Sequence, residues 1–399
     1  MCIFVSRKKM KLSFENTAVA FGHKNKAQLK KAYWLFKLVA NPALVKLGKF
    51  FMNIALKLRI PIGWAIKPTI FQQFCGGETI QDCAGTTKIL DQFGIGTILD
   101  YSVEGKESDL DFDATCTEIL ATIQTGNDNE HIPFCVFKVT GVGRFSVLQK
   151  VNEGKKLSEL EQAEYERTHY RIDRICSAAA EAKTPVFIDA EESWIQDTID
   201  ALANEMMEKY NQGNVWVYNT IQLYRHDRLA FLKESHREAK EKKYLLGVKL
   251  VRGAYMEKER ARAQEKGYPS PIQPDKASSD RDYDAALKYC VENVEDISTV
   301  AGTHNEASSK YLAQLIKDAG LANGDARLYF AQLYGMSDHI SFNLANEGYK
   351  VAKYVPYGPI REVMPYLIRR AEENTSVKGQ TSRELSLILQ EMERRRIGG

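Results

Sequence analysis

The sequence predicts an α/β fold, a (β/α)8 barrel preceded by a helical segment. Three observations predict it. Eight short apolar runs follow one another after residue 94, each of the kind buried on both faces of a parallel sheet. Longer helical patterns lie between them. The eight units take about 280 residues, the size of one such barrel. A doubly wound open sheet is the competing reading, weakened because no G-x-G-x-x-G follows the first strand.

Residues 1–93 are expected to form the helical N-terminal segment. Residues 1–77 hold twelve lysines, two arginines and one acid, Glu15, a charge of +13, so the rest of the chain carries −10 against the net +3. The lysines alternate with Trp34, Leu35, Leu38, Leu44, Leu47, Phe51, Ile54 and Leu58 at helical spacings. Pro42, Pro61 and Pro68 punctuate the pattern. Such a segment either packs its apolar stripe on a larger domain, the commoner fate, or lies on an anionic surface.

The barrel is expected over residues 94–377. Its strands read GTILDYS from 96, PFCVFKVTG from 133, PVFIDAE from 185 and NVWVYNTIQLY from 214. Then follow LLGVKLVRGAY from 245, ISTVAGTHN from 297, LYFAQLYG from 328 and YKVAKYVPYG from 349. Helical patterns begin at 157, 193 and 306. One long irregular stretch, EKGYPSPIQPDKASSD from 265, holds three prolines; a loop of that length inside a compact domain is usually functional. Residues 378–399 read as a helical tail.

Composition narrows the class. Hydrophobic residues make up 44% and charged residues 27%, ordinary for a globular chain. No run of about 18 apolar residues is present, which excludes a spanning helix. The start, MCIFVSRKKM, lacks the apolar core and cleavage site of a secretory signal. Seven cysteines without C-x-x-C spacing argue against a disulfide framework or zinc site and for a reducing compartment.

In a barrel of this kind the site lies at the C-terminal ends of the strands. Those ends offer Asp100, Lys138, Asp189, Gln222, Arg252 with Tyr255, His304, Gln332 and Tyr354. Any one alone is as readily a turn residue or a helix cap, but one rim gathers all of them. After Arg252, Gly253 and Ala254 remove bulk, so that a large ligand can approach the backbone while a cation faces its phosphates. Thr303, His304 and Asn305 offer three hydrogen-bonding side chains. No second histidine stands at metal-ligand spacing, which discounts a metal site. In YLIRRAEEN, Tyr366, Arg369, Arg370 and Glu373 share one helix face. A solvated surface explains that spacing cheaply. The place directly after the eighth strand instead sets the arginines at the rim, where two guanidinium forks can clamp a carboxylate.

FKVTG, IDAEE, KLVRGAY, GTHNE and YLIRRAEEN, in that order, resemble the strand-end motifs of the proline dehydrogenase family over roughly residues 70–377. The resemblance implies a distorted TIM barrel that holds FAD, oxidises L-proline to Δ1-pyrroline-5-carboxylate and passes electrons to a membrane quinone. It implies that Arg369 and Arg370 bind the proline carboxylate, with Lys138 and Tyr255 beside them as catalytic candidates. Asp100, Leu333, Tyr354 and Tyr366 would complete the substrate site. Asp189, Gln222, Lys249, Arg252, Gly253 and Ala254 fall among flavin-binding positions. So do Thr303, His304, Asn305, Gln332, Tyr354, Arg370 and Glu373. Asp100 and Glu104 resemble acids that pair with arginine to close the site.

Three departures separate the chain from bacterial bifunctional relatives. Lys249 stands where they carry arginine, Met256 replaces an aromatic residue over the adenine, and the SPIQPDKASS loop differs. These features resemble the stand-alone, mitochondrial-type branch and imply a monofunctional enzyme. It would sit peripherally on the mitochondrial inner membrane, or on the cytoplasmic side of a bacterial inner membrane, without a nucleic-acid partner. Hydroxyproline oxidation by the same machinery is one alternative. A Schiff-base lyase using Lys138 or Lys249 is another. RNA binding by the basic segment ranks last, since it lacks an aromatic stacking motif.

Overall fold

In a computed structural model, residues 12–58, 63–103, 107–376 and 380–396 are described, without side chains at 53–57, 65 and 372–382. Eight parallel strands close into a barrel in sequence order. They are β1 (Ile95–Tyr101), β2 (Phe134–Lys138), β3 (Val186–Asp189), β4 (Val217–Gln222), β5 (Leu246–Val251), β6 (Ile297–Gly302), β7 (Leu328–Leu333) and β8 (Val351–Tyr357). Closure is a seven-residue ladder from Ile95 opposite Val351 to Tyr101 opposite Tyr357. Each expected apolar run holds one strand, with β1 starting one residue earlier, at Ile95.

Strand alternation sorts the side chains into two cores. One set faces the lumen: Ile98, Phe134, Val136, Phe187, Tyr218, Val300, Ala331, Ala352 and Tyr354 pack together there. The Phe134 and Phe187 rings stack 4.6 Å apart. The other set faces the helices and forms the larger core with them. Because the period is two, these lumen residues fix which way every strand-end side chain points.

The helices start where local chemistry dictates. Glu159–Glu181, the longest, opens on a reciprocal Ser158–Glu161 capping box, and Ile80–Asp91 on one from Thr79 and Asp82. Ser193–Tyr210 and Glu306–Asp318 follow β3 and β6 as expected. The stretch from 265 is a correction: only residues 267–275 are irregular. Gly267, at φ +71°, ends the preceding helix. The Asp275 carboxylate accepts the Ser278 N–H at 2.7 Å, so KASSD, which reads as loop by composition, is the first turn of Lys276–Glu292.

The barrel is irregular at its seam. Met364–Ser376, the arginine helix, does not return along β8. It packs against the N-terminal helices Lys26–Val39 and Pro42–Lys57. The outside of β8 is covered instead by Asp338–Asn346 and Ile80–Asp91. The C-terminal helix Gln380–Arg394 shares a separate core with Phe21, Leu29 and Phe36, through Leu387, Ile388 and Met392.

A buried ionic cluster joins these pieces. The Lys353 ammonium, on the outer face of β8, meets Asp338 at 2.8 Å and donates to the Met336 carbonyl at 2.7 Å. Lys24 and His23 reach the same carboxylate at 3.1 and 3.4 Å. From the C-terminal helix, Arg383 pairs with both Glu306 and Glu15, and Arg395 donates to the Lys24 and Phe21 carbonyls at 2.6 and 2.8 Å. The six described cysteines are buried free thiols.

Asp338→Asn leaves the cations of Lys353 and Lys24 without their shared anion. It is expected to lower the unfolding free energy by about 3–5 kcal/mol, measured by guanidinium denaturation followed by circular dichroism. A loss below about 1 kcal/mol would mean that the cluster behaves as a solvated surface pair.

Candidate active site

The C-terminal rim is built by the same alternation that fills the lumen. On β1, β2 and β3, two residues beyond lumen-facing Ile98, Val136 and Phe187, come Asp100, Lys138 and Asp189. Lys138 stands opposite Asp189 in the ladder. Thr220 of β4 stands opposite Lys249 of β5, and Leu333 of β7 opposite Tyr354 of β8. Seven strand positions separated by up to 254 residues therefore meet on one inner wall.

Its centre is Lys249. The buried ammonium donates to the Asp189 carboxylate and, at 2.6 Å, to the Tyr354 hydroxyl. It lies 4.8 Å from the Tyr354 ring centre and 5.2 Å from that of Phe187. A buried lysine is tolerable only when so paired. Burial pushes the Tyr354 phenol well above its ordinary range, with Asp189 and Asp100 adding to it. Burial likewise raises the Asp100 carboxyl, against the pull of Lys138 and with Asp189 pushing further. The Ser102 hydroxyl donates to Asp100 at 2.6 Å.

A second cationic zone follows β5. The Arg252 guanidinium donates to Asp280 at 2.7 Å, to the Thr303 hydroxyl at 2.8 Å and to the Ser308 hydroxyl at 3.0 Å. It also stacks on Tyr283, 4.3 Å from the ring centre. Gly253 has φ +138°, and a Cβ there would stand 2.3 Å from the Tyr224 ring; only glycine fits. Gly253 and Ala254 are exposed, so this backbone is open to a ligand.

The other expected positions separate. His304 lies 2.8 Å from the Ser337 hydroxyl. Burial and the nearby charges of Lys353, Arg370 and His339 push its imidazole down to about 3. Asn305 caps Glu306–Asp318, its side chain accepting the Ser308 N–H at 3.1 Å. Gln332 turns away from the lumen: it accepts from Ser341 at 2.8 Å and donates to the Thr303 carbonyl at 3.1 Å. Gln222 donates to the Glu191 carbonyl at 2.7 Å. Glu104 and the Glu373 side chain lie outside the described residues.

The arginine helix begins at the rim. Tyr366 and Leu367 share an apolar cluster with Leu333 and Met336. Arg370 is buried, its guanidinium 5.2 Å from the Tyr366 ring centre, while Arg369 is half-buried. Lys138, Glu191 and Arg369 surround the Tyr255 phenol closely enough to act on its ionisation, which burial disfavours. Glu191 is a residue that the sequence reading missed. Its carboxyl, pushed up to about 7 by burial and held back chiefly by Lys138, accepts the Thr140 N–H at 3.0 Å. The only sequence signal was its place after an apolar strand in IDAEE.

The arrangement combines an apolar wall (Leu333, Tyr354, Tyr366) with nearby arginines, and a separate open backbone beside Arg252. It suits a small ring carrying an anion next to a longer ligand.

Comparisons with known proteins cover most of the chain. A family model described as proline dehydrogenase matches residues 83–383, which takes in all eight strands and the arginine helix. The carbapenem antibiotics biosynthesis protein CarD of Pectobacterium carotovorum subsp. carotovorum is 34% identical over 327 residues, 82% of this chain and 84% of that one. Proline dehydrogenase 1, mitochondrial, of Dictyostelium discoideum is 30% identical over 426 residues, 95% of this chain and 74% of its own. Hydroxyproline dehydrogenase of Xenopus laevis is 29% identical over 421 residues, covering 96% and 90%. Among solved structures, proline utilization A (PutA) from Bdellovibrio bacteriovorus has a TM-score of 0.73 at 18% identity, covering 95% of this chain and 41% of that one. That likeness is one of fold, and this chain spans about two fifths of that protein.

The neutral imidazole of His304 gives a pH test. Its value falls from 6.5 in the unfolded chain to about 3 in the fold. Its contribution to stability is therefore complete above pH 6.5 and is lost progressively as pH drops toward 3. The His304 ring resonances are expected to stay unshifted between pH 8 and 5 in an NMR titration; an ordinary midpoint near 6.5 would remove the assignment.

Proposed function

The chain belongs to the proline dehydrogenase family, and from that premise we propose that it is an FAD-dependent enzyme that oxidises L-proline to Δ1-pyrroline-5-carboxylate. The observation that carries this reading is the pair Arg369 and Arg370, on a helix that starts at the rim beside Leu333 and near Tyr255 and Lys138.

The two arginines hold the proline carboxylate by charge-assisted hydrogen bonds. Tyr354, Tyr366 and Leu333 wall the ring on its apolar sides. Lys138 and Tyr255 close the polar side, with Asp100 as its counter-charge. The effect is mainly positional: a fixed anion and a walled ring leave one orientation.

The residues present fit the cofactor. Arg252 supplies positive charge, Lys249 an ammonium already held by Asp189 and Tyr354, and Gly253 offers exposed backbone. The Thr220 hydroxyl, opposite Lys249, is buried without a hydrogen-bond partner, the condition of a group awaiting a ligand. Gln222, Thr303 and His304 add donors along the same rim. When bound, FAD accepts the two electrons that leave proline, and a membrane quinone takes them onward. The mitochondrial proteins among the relatives support a place at a respiratory membrane.

Hydroxyproline is the second reading, favoured by the Xenopus relative that matches nearly the whole chain. Steady-state turnover on the two amino acids decides between them.

Purified protein is expected to show flavin absorbance that proline bleaches without oxygen. Arg369→Ala and Arg370→Ala should each raise KM for proline about 10- to 100-fold, the range of a charged hydrogen bond, while flavin stays bound. Absent flavin bands would overturn the reaction, and unchanged KM in both variants would overturn the clamp.

A further inference from the structure

Among the described residues, sixteen large apolar side chains are exposed, and eight of them lie between Trp34 and Trp64. Scattered exposed apolar residues need no explanation, but a contiguous group marks an interaction surface. The extremes are Leu58 at 65% and Trp64 at 81% exposure.

These side chains project from helices whose inner sides are already used. On Lys26–Val39, Leu29, Ala32, Phe36 and Val39 are buried, while Trp34 and Leu38 face out. On Pro42–Lys57, Val45 and Met52, seven residues apart, pack inward. Leu47, Phe50 and Phe51 leave from the opposite side at 52–60% exposure. Among the described residues this helix is therefore apolar on both sides and buried on one.

The charge around the patch identifies the partner. From Lys26 to Lys67 there are eight lysines and one arginine and no acidic residue. Lys30, Lys37, Lys46 and Lys49 are exposed among the apolar residues. Lys37 lies 4.8 Å from the Trp34 ring centre. Tryptophan and phenylalanine interleaved with lysine are the composition of a helix lying in the headgroup plane of an anionic bilayer. None of the described helices is long and apolar enough to cross a membrane.

We propose that the outer faces of Lys26–Val39, Pro42–Lys57 and Gly63–Ile66 form a docking surface for an anionic lipid bilayer. Trp34, Leu47, Phe50, Phe51, Leu58 and Trp64 enter the boundary between headgroups and acyl chains, and the lysines meet the headgroups. The surface stands next to the candidate site. Ile66 and Met52 share an apolar cluster with Tyr366 and Ile368 of the arginine helix. A bilayer on the outer face is thus one helix layer from the proposed carboxylate clamp. That is the arrangement a lipid-soluble electron acceptor requires, although the surface itself is argued from exposure and charge and does not depend on the reaction.

The test is co-flotation of the full chain with vesicles of phosphatidylcholine alone or with a third of anionic lipid. Anionic vesicles are expected to bind at least about tenfold more protein, less so as salt rises. Phe50→Glu with Phe51→Glu should reduce that binding at least about tenfold, with an unchanged circular dichroism spectrum. Binding to neither vesicle, or undiminished binding by the variant, overturns the proposal. So does a concentration-dependent dimer in sedimentation velocity that the variant abolishes, since the face then joins two copies of the chain. Vesicle binding without proline turnover keeps the surface and removes the reaction.

Discussion

The structure depends on how the outside of β8 is covered. In a regular barrel the eighth helix packs there and an aliphatic residue would stand at position 353. Here the outward residue is Lys353, fully buried, and its charge is balanced by Asp338 from the helix after β7. A charge in that place is costly unless the anion is fixed and the remaining protons are satisfied. The Met336 carbonyl, Lys24 and His23 complete the cluster. With β8 covered in this way, the arginine helix is released from the barrel wall and can stand at the rim.

Much of this was legible because parallel strands leave a plain trace. A strand buried on both faces is a short apolar run, and seven of the eight runs contain their strands whole, β1 starting one residue early. The site was legible as far as strand ends were concerned, since a closed barrel must gather them. The direction of each side chain was not. Gln332 and Leu333 are neighbours at the end of β7, yet only Leu333 faces the lumen. The sequence placed both at the site, and the strand parity turns Leu333 inward and Gln332 toward Ser341. Partners remote in sequence were also hidden. Lys249 needs Asp189, sixty positions away, and Arg252 needs Asp280 and Ser308. Composition misled at KASSD, where Asp275 turns polar residues into a helix start.

The charges of the rim are arranged so that few of them are free to move. Asp189 and Lys249 neutralise each other under an aromatic wall. Asp280 holds one edge of the Arg252 fork, and the Thr303 and Ser308 hydroxyls hold the other two nitrogens. Such pairing fixes geometry more than it adds stability. It also sets the cost of a wrong ligand, because a group that cannot take over these hydrogen bonds leaves buried donors unmet.

Tyr366 connects the two halves of the argument. Its ring lies against the Arg370 guanidinium and in the same apolar cluster as Ile66 and Met52 of the basic helices. The helices with the exposed apolar face are therefore not an appendage beside the barrel. Their inner sides support the helix that carries the arginine pair, and their outer sides are left for another phase. Packed interiors transmit displacement poorly unless two arrangements compete. The coupling between surface and site is therefore one of proximity: the basic helices hold the arginine helix in place, and whatever covers them also lies close to the rim.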